Sequence, residues 1–188
     1  MKKFWLLLLI FTISACASKN PNFYQPVACK EMQQIYPEFK QNILVDNVLL
    51  PASQTKPQIT TLGRENYELK IDEFNRWGAN PDKLIQQVLN DDLSAVFPNA
   101  IVENKTTLRK NYKYAVWVEI QKMSGRLDEN AMLQASYFIK NKNGRILKQG
   151  QFKQNIVIDG NYDAYVPALS KLLGLLAQTI ADDLVSLK

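Results

Sequence analysis

The feature that most constrains the fold is a run of alternating polar and apolar residues between positions 112 and 158. Apolar side chains recur at every second residue from Tyr114 to Ile120, and again from Ala131 to Ile139. A period of two places successive side chains on opposite faces of a β-strand. The pair Asn143-Gly144 follows, and both residue types accept the positive φ of a type I′ turn. The pattern predicts an antiparallel meander whose strands cover residues 112–123, 131–140 and 145–158.

Signals for a helix start stand at residues 80–82. Asn80 is a preferred N-cap residue, Pro81 suits the first helical position and Asp82 complements the helix dipole. Apolar residues then recur at helical spacing until Phe97-Pro98, where a helix is expected to end. The apolar stripe consists of Leu84, Ile85, Val88, Leu89, Leu93 and Val96, and the residues predicted to face away from the core are Lys83, Gln86, Gln87, Asn90 and Asp91.

A second amphipathic helix is predicted over residues 162–187. Its apolar residues are spaced three and four apart, as one helix face requires. Lys171, Gln178, Asp182 and Asp183 make it unsuitable as a membrane span. We expect it to pack on the sheet beside the first helix.

The rest of the sheet is predicted from shorter segments. Residues 42–50 are rich in Val, Ile and Leu and end at Pro51, as a strand would, and residues 100–103 form a short strand. Residues 51–66 are predicted to be an irregular connection. A strand follows in which Tyr67, Leu69 and Ile71 alternate with charged residues. The prediction is an α+β fold in which two amphipathic helices pack on a mixed, largely antiparallel sheet of about five or six strands. It forms one domain over residues 42–188.

Residues 1–15 have the form of a bacterial export signal. Lys2 and Lys3 precede an apolar run from Phe4 to Ile13. That run is too short to span a bilayer well, since spanning takes roughly 20 residues. We predict a lipoprotein signal peptide that is removed. An ordinary signal peptide with a chance cysteine and an uncleaved anchor are the alternatives.

The end of the signal, Ile13-Ser14-Ala15-Cys16, resembles the lipobox of bacterial lipoproteins. The resemblance implies cleavage between Ala15 and Cys16, a diacylglyceryl group on the Cys16 thiol and an acyl chain such as palmitate on the new amino terminus. Two or more acyl chains hold a protein on a membrane, whereas one binds reversibly. Residues 16–41 are expected to be a tether that includes a short first strand around residues 23–27.

The residues after Cys16 are Ala17 and Ser18. Lipoproteins kept at the inner membrane typically have Asp at the first of these positions, so the sorting pattern favours the outer membrane and its periplasmic side. Cys29 is the other cysteine of the chain. It is either a buried or tolerated thiol or the partner of an intermolecular disulfide.

Composition excludes several kinds of chemistry. The chain has no histidine, so neither a Ser-His-Asp triad nor an imidazole metal site can form. The pairs Asp91-Asp92 and Asp182-Asp183 are neighbours on helices and are expected to lie on solvated faces. Glu68 and Asp72 share a strand face but fit a charged surface better than an acid and base pair. We therefore expect no enzyme, no metal and no cofactor. A nucleic-acid partner is not expected either, because an exported lipoprotein rarely meets nucleic acid, and a mature net charge of about +3 is weak support for an anionic partner.

Three short motifs occur in order along residues 42–78. They are Leu50-Pro51, Lys56-Pro57-Gln58-Ile59 and Glu73-Phe74-Asn75-Arg76-Trp77, the last followed at once by the Pro81 helix. This order resembles the PqiC-type ABC-transport auxiliary lipoproteins, and the likeness covers roughly residues 42–184. Lys56 stands where that family commonly has arginine, and Gly78 where it has alanine, so a role needing a planar bidentate donor at position 56 is in doubt.

The resemblance implies a non-enzymatic part of a lipid-transport or membrane-integrity system. Relatives are outer-membrane lipoproteins that work with MCE-domain proteins and an inner-membrane ABC transporter or related complex. The resemblance also implies a homo-oligomeric ring and contact with phospholipid. Another periplasmic adaptor, such as a peptidoglycan-synthase activator or an outer-membrane assembly factor, is the alternative function.

Two interpretations of the motif residues are open. In the first, Trp77 and Phe74 are core residues, Arg76 and Glu73 form a local ion pair, and the Pro57 loop crosses a sheet edge. In the second, residues 57–64 are part of a surface that contacts a neighbouring subunit or an MCE partner. The candidate surface comprises Lys56, Pro57, Gln58, Ile59, Arg64, Glu73, Phe74, Arg76 and Trp77.

Overall fold

The computed structural model describes residues 20–65, 67–104 and 111–187. The predictions for Ala15, Cys16, Ala17 and Ser18 lie outside these residues. The strands are β1 (Asn22–Tyr24), β2 (Ile43–Leu49), β3 (Gln58–Leu62), β4 (Leu69–Trp77), β5 (Val102–Glu103), β6 (Tyr114–Arg126), β7 (Asn130–Asn141) and β8 (Ile146–Val157). The helices are a 3-10 turn at Ala52–Gln54, α1 (Pro81–Val96) and α2 (Tyr162–Ser186).

The strands form two sheets. The larger has five strands in the order β5-β2-β6-β7-β8, with β2 parallel to both of its neighbours and the other pairs antiparallel. The smaller has three strands in the order β1-β4-β3, with β1 parallel and β3 antiparallel to β4. The predicted α+β fold with mixed sheets and two helices is confirmed, and the strands divide between two sheets.

The hydrophobic core lies between the five-stranded sheet and the two helices. The predicted inward face of β6 is confirmed, because its residues Tyr114, Val116, Val118 and Ile120 are all buried. The α2 stripe is buried as well, with Leu172, Leu176, Ile180 and Leu184 fully inaccessible. By length and hydropathy α2 could cross a membrane, yet 72% of its most apolar window is buried inside the domain. It is the central core helix.

The predicted irregular connection over residues 51–66 is wrong. It contains the 3-10 turn and β3, which pairs with β4 from Gln58 to Leu62. Residues 59–62 of β3 are buried without alternation, two of them being threonines. A strand covered on both faces lacks the period of two on which the prediction relied.

The β7–β8 hairpin is confirmed, but its turn is not type I′. Gly144 has a positive φ of 79°, whereas Asn143 is not among the positive-φ residues. The Asn141 side chain instead accepts hydrogen bonds from the backbone N–H groups of Asn143 (3.0 Å) and Arg145 (3.1 Å). Its carbonyl accepts from Gly144 N–H at 2.9 Å. The result is a three-residue loop in which only the glycine needs the left-handed conformation.

Two predictions about α1 need correction. Asn80 is the N-cap residue, but its side chain makes no capping hydrogen bond. Gln86, predicted to face away from the core, is 6% exposed and its amide donates to the carbonyls of Val45 and Asp46, both at 2.9 Å. The amide satisfies two carbonyls of β2 at its irregular register between Val45 and Asn47. An amphipathic pattern cannot distinguish such a buried amide from a solvated one.

An irregular segment of residues 25–39, called the strap here, runs over both helices. Three of its backbone N–H groups donate to helix side chains: Val27 to Ser170 Oγ (3.1 Å), Cys29 to Asp92 Oδ1 (2.7 Å) and Gln34 to Gln178 Oε1 (3.1 Å). At its end Phe39 is fully buried with its ring 4.4 Å from that of Phe97. Buried backbone groups need such partners, so the helix side chains fix the strap.

Among the acidic pairs, the prediction for Asp92 is the one that is wrong. It was expected on a solvated face but is fully inaccessible, because the strap covers it. Oδ1 accepts from Cys29 N–H, while Oδ2 has no hydrogen-bond partner among the described residues. Burial, with a smaller contribution from the charge of Asp91, raises the Asp92 pKa to about 6 despite the bond from Cys29.

The strap sits against α2 through a glycine. A Cβ added at Gly174 would lie 2.5 Å from Cys29 Sγ and 2.9 Å from Cys29 Cβ. We therefore expect Gly174→Ala to push the strap away from α2 and to destabilise the protein by about 1–3 kcal/mol, as overpacking does. The half-buried Cys29 thiol should then react faster with a soluble disulfide reagent.

Gly78→Ala is the matched control for Gly174→Ala. An added Cβ at Gly78 would meet only Tyr24 O, at 3.6 Å. Neither stability nor thiol reactivity should fall outside the range of the parent protein. Equal thiol reactivity in the Gly174→Ala and Gly78→Ala proteins would contradict the close contact.

Candidate partner-binding surface

The motif residues lie on the three-stranded sheet. Lys56 and Pro57 lead into β3, which contains Gln58 and Ile59, and the second motif forms the end of β4. The antiparallel register pairs Gln58 with Arg76, so the two motifs meet at one end of the sheet. Arg64 lies beyond the opposite end of β3 and is not part of this cluster.

Trp77 and Ile59 are core residues rather than surface contacts. Trp77 is 5% exposed and Ile59 is fully inaccessible. The backbone N–H of Trp77 donates to Pro57 O at 2.7 Å, which joins the two motifs at the sheet edge. Phe74 differs from the core interpretation because it is 42% exposed.

A polar cluster made of Gln58, Glu73 and Arg76 occupies the surface beside Trp77. Arg76 Nε donates to the Glu73 carbonyl at 2.8 Å, and its guanidinium pairs with Glu73 Oε2 at 3.3 Å. Gln58 Nε2 donates to the same carboxylate oxygen at 3.2 Å. The local ion pair is therefore present, as the first interpretation predicts. Exposed pairs of this kind contribute about 0–1 kcal/mol to folding, so the cluster is dispensable for the fold.

Asp72 shapes this end of β4, and sequence reasoning missed its role. Its Oδ1 accepts from the backbone N–H groups of Phe74 (2.7 Å) and Asn75 (2.9 Å), across the register irregularity between β3 and β4. Burial opposes ionisation, but hydrogen bonds from Asn75, Phe74 and Tyr162 outweigh it and lower the Asp72 pKa. The sequence signal for this role is an aspartate whose side chain can accept a hydrogen bond from the backbone N–H two residues later, as in an Asx turn.

Glu68 and Asp72 do not form an acid and base pair. Glu68 accepts from Arg64 N–H at 3.0 Å in the β3–β4 connection, while Asp72 is engaged in the turn at residues 74 and 75. Within residues 20–65, 67–104 and 111–187, no group of three Cys, Asp or Glu residues is placed to hold a metal ion.

The two faces of the small sheet differ in what covers them. Tyr162 of α2 contacts Tyr24 and hydrogen-bonds to Asp72, so these residues point toward α2. Alternation along each strand then points Phe23, Leu69 and Ile71 to the opposite face. Phe23 is 65% exposed, Leu69 49% and Ile71 51%. The apolar face predicted for β4 exists and faces outward on β1 and β4. On β3 the same face is covered, because Thr60, the register partner of Ile71, is buried and donates to Ser53 O in the 3-10 turn at 3.2 Å. We call the exposed part on β1 and β4 the outward face.

Comparison with known proteins decides the family. The sequence profile of the ABC-type transport auxiliary lipoprotein component family matches residues 28–181. The chain belongs to this family. The match begins within the strap and includes all three motifs and most of α2. No curated protein matches the chain.

Solved structures share the fold of this auxiliary lipoprotein. One uncharacterized protein superposes with a TM-score of 0.73 at 16% identity, covering 88% of this chain and 99% of the other. Protein XCC0632 from Xanthomonas campestris, of family DUF330, gives a TM-score of 0.70 at 11% identity, covering 85% of this chain and 92% of the other. At such identities the likeness establishes the fold alone.

Family membership gives the broad function. The protein is a transport-associated lipoprotein, which implies a membrane-anchored periplasmic location, and its family is an auxiliary transport component and not a known enzyme family. The family match covers the folded domain, so the surface that contacts the transport system is expected on this domain. The polar cluster and the outward face adjoin on the motif-bearing sheet, since Arg76 is the register partner of Phe23 and lies on the same face.

Proposed function

We propose that this protein is the docking subunit of an MCE-protein (ABC-type) intermembrane lipid-transport system that supports membrane integrity. It is anchored in the outer membrane by acyl chains on Cys16, with the domain on the periplasmic side. The observation that carries the proposal is the family match over residues 28–181. The sorting residues Ala17 and Ser18 favour the outer membrane.

The polar cluster is the proposed contact with the MCE protein. Its ion pair is exposed, with Glu73 at 62% and Arg76 at 35% of their side-chain areas, and Lys56 is exposed beside it. Because such a pair adds little to folding, its charges remain available for recognition. Complementary charges at an interface set register and partner choice more than they add affinity.

Further parts of the proposal concern assembly. Several copies form a ring that receives the end of the MCE assembly, and phospholipid passes through or beside that ring. The architecture suits this role, because α2 and the five-stranded sheet form the packed core while the small sheet presents its motifs at one side.

Affinity capture from cells tests the partnership. The tagged full-length protein is crosslinked in intact cells and extracted in detergent, and its partners are identified by mass spectrometry. We expect an MCE-domain protein and an inner-membrane permease. Arg76→Glu should reduce their recovery at least about tenfold, because it reverses a charge of the proposed contact and like charges placed across an interface cost several kcal/mol.

Arg145→Glu is the matched control, because Arg145 is an exposed arginine on the β7–β8 turn, away from the motifs. It should leave recovery unchanged, and both variants should unfold at the parent temperature within a few degrees. Capture of a cell-wall synthase or an outer-membrane assembly factor without any MCE protein would overturn the proposal. Equal losses with the two variants would overturn the assignment of the contact to the polar cluster.

A further inference from the structure

The outward face of the small sheet lies close to the point where the membrane anchor joins the domain. The chain enters through β1, which is parallel to β4 and pairs Asn22 with Asn75. Because the two strands are parallel, the amino-terminal end of β1 faces the end of the sheet on which β4 begins. Leu69 and Ile71 lie at that beginning, and Phe23 lies in β1 itself.

The length of the connection limits how far the domain can be from the membrane. Five residues separate Cys16 from Asn22, which makes six steps from one Cα atom to the next. Even fully extended, these steps span at most about 20 Å. That is about the length of β4 from Leu69 to Asn75, at roughly 3.3 Å per residue. Whatever path the connection takes, the outward face stays within one short tether of the acylated residue.

We propose that the outward face rests on the phospholipid surface that holds the acyl chains of Cys16. The inference rests on the lipid anchor of the proposed function. Phe23, Leu69 and Ile71 insert at the boundary between headgroups and acyl chains. Tyr67, 87% exposed just before β4, adds an aromatic ring with a polar tip of the kind enriched at that boundary.

The short tether explains why so few apolar side chains suffice. Once the acyl chains are inserted, contact between face and membrane is intramolecular, and a short linker gives an effective concentration in the millimolar range. A stable dimer, in contrast, needs an interface of about 800 Å² on each partner. Three part-exposed side chains on a sheet with a three-residue edge strand fit a bilayer better than a second copy.

Charge around the face is balanced. Arg76 and Glu73 adjoin Phe23, while Arg64 and Lys70 are exposed near Leu69, and so are Glu65 and Glu68. Docking therefore depends on apolar contact rather than on attraction to anionic headgroups. Raising the salt concentration should not release the face, since salt screens charges and does not weaken apolar burial.

Fluorescence quenching by lipid tests the docking on the full-length processed protein. In a Cys29→Ser background, Ile71→Cys carries an environment-sensitive fluorophore, and the protein is reconstituted into vesicles of phosphatidylethanolamine and phosphatidylglycerol that contain nitroxide-labelled lipid. The matched control is Ile146→Cys on the five-stranded sheet, where the parent isoleucine is 48% exposed against 51% for Ile71. Flotation of the vesicles reports the anchor independently.

We expect both labelled proteins to float with the vesicles and the label at residue 71 to be quenched several-fold more than the label at residue 146. Flotation with equal quenching at the two positions would overturn the docking and leave the anchor in place. A label at residue 71 that is shielded from water yet insensitive to lipid nitroxide would show that a protein covers the face instead. Absence of flotation would overturn the anchor together with the docking, whereas partner capture tests the MCE role separately.

Discussion

Trp77→Ala is expected to lower the free energy of unfolding by about 3–5 kcal/mol, the usual cost of truncating a buried aromatic side chain. Trp77 is 5% exposed and is fixed at the sheet edge by the bond from its backbone N–H to Pro57 O. Removing the indole leaves a cavity between the small sheet and α1, which the backbone of two paired strands cannot close. Urea unfolding followed by circular dichroism measures the loss.

The control for Trp77→Ala is Phe23→Ala, which truncates an aromatic ring that is 65% exposed on the same sheet. In solution it should change stability by less than about 1 kcal/mol, as surface substitutions do. If the two variants were equally stable, the core assignment of Trp77 would be wrong, and the motif would have to be read as a binding surface throughout.

The free energy of unfolding should decrease as the pH is raised from 4 to 7, because Asp92 ionises in that range. Burial raises its pKa from the ordinary 3.8 to about 6. This carboxyl group has a higher pKa in the folded protein than in the unfolded chain. Its contribution to stability is therefore fully present below the unfolded pKa and is lost as the pH rises through the folded pKa. The difference between the two pKa values corresponds to a decrease in the free energy of unfolding on the order of 3 kcal/mol by pH 7.

Asp92→Asn should remove this pH dependence, because an amide keeps an acceptor for Cys29 N–H without ionising. Unfolding free energies of the parent and variant at pH 4, 5, 6 and 7 give the two slopes. Asp159→Asn, at an exposed aspartate, should retain the parent slope. Identical slopes in the parent and Asp92→Asn proteins would show that the strap does not exclude water from this carboxylate.

Sequence periodicity predicted those elements in which one face is buried and the other is solvated. The strands β6 and β7 and both helices satisfy this condition, so their apolar spacing reports their structure directly. Strand β3 does not, since both of its faces are covered. The division into two sheets also escaped prediction, because it depends on β1 pairing with β4 about fifty residues away.

The candidate surface was only partly accessible to sequence reasoning. Motif order identified the segment and the ion pair between Glu73 and Arg76, whose spacing is local. Burial of Trp77 and of Asp92 depends on the Pro57 backbone and on the strap, both of which come from elsewhere in the chain. A carboxylate on a helix looks the same in sequence whether water or a crossing segment lies above it.

The parallel pairing of β1 with β4 has a mechanical consequence for an anchored protein. A force applied along the axis of β1 loads in shear, and together, the backbone hydrogen bonds that register residues 22–24 against residues 75–77. A force applied across the strand would instead separate these hydrogen bonds one after another. When such a force acts on the amino-terminal end while a partner holds the domain, tension therefore reaches the Trp77 end of β4 before it reaches the helices.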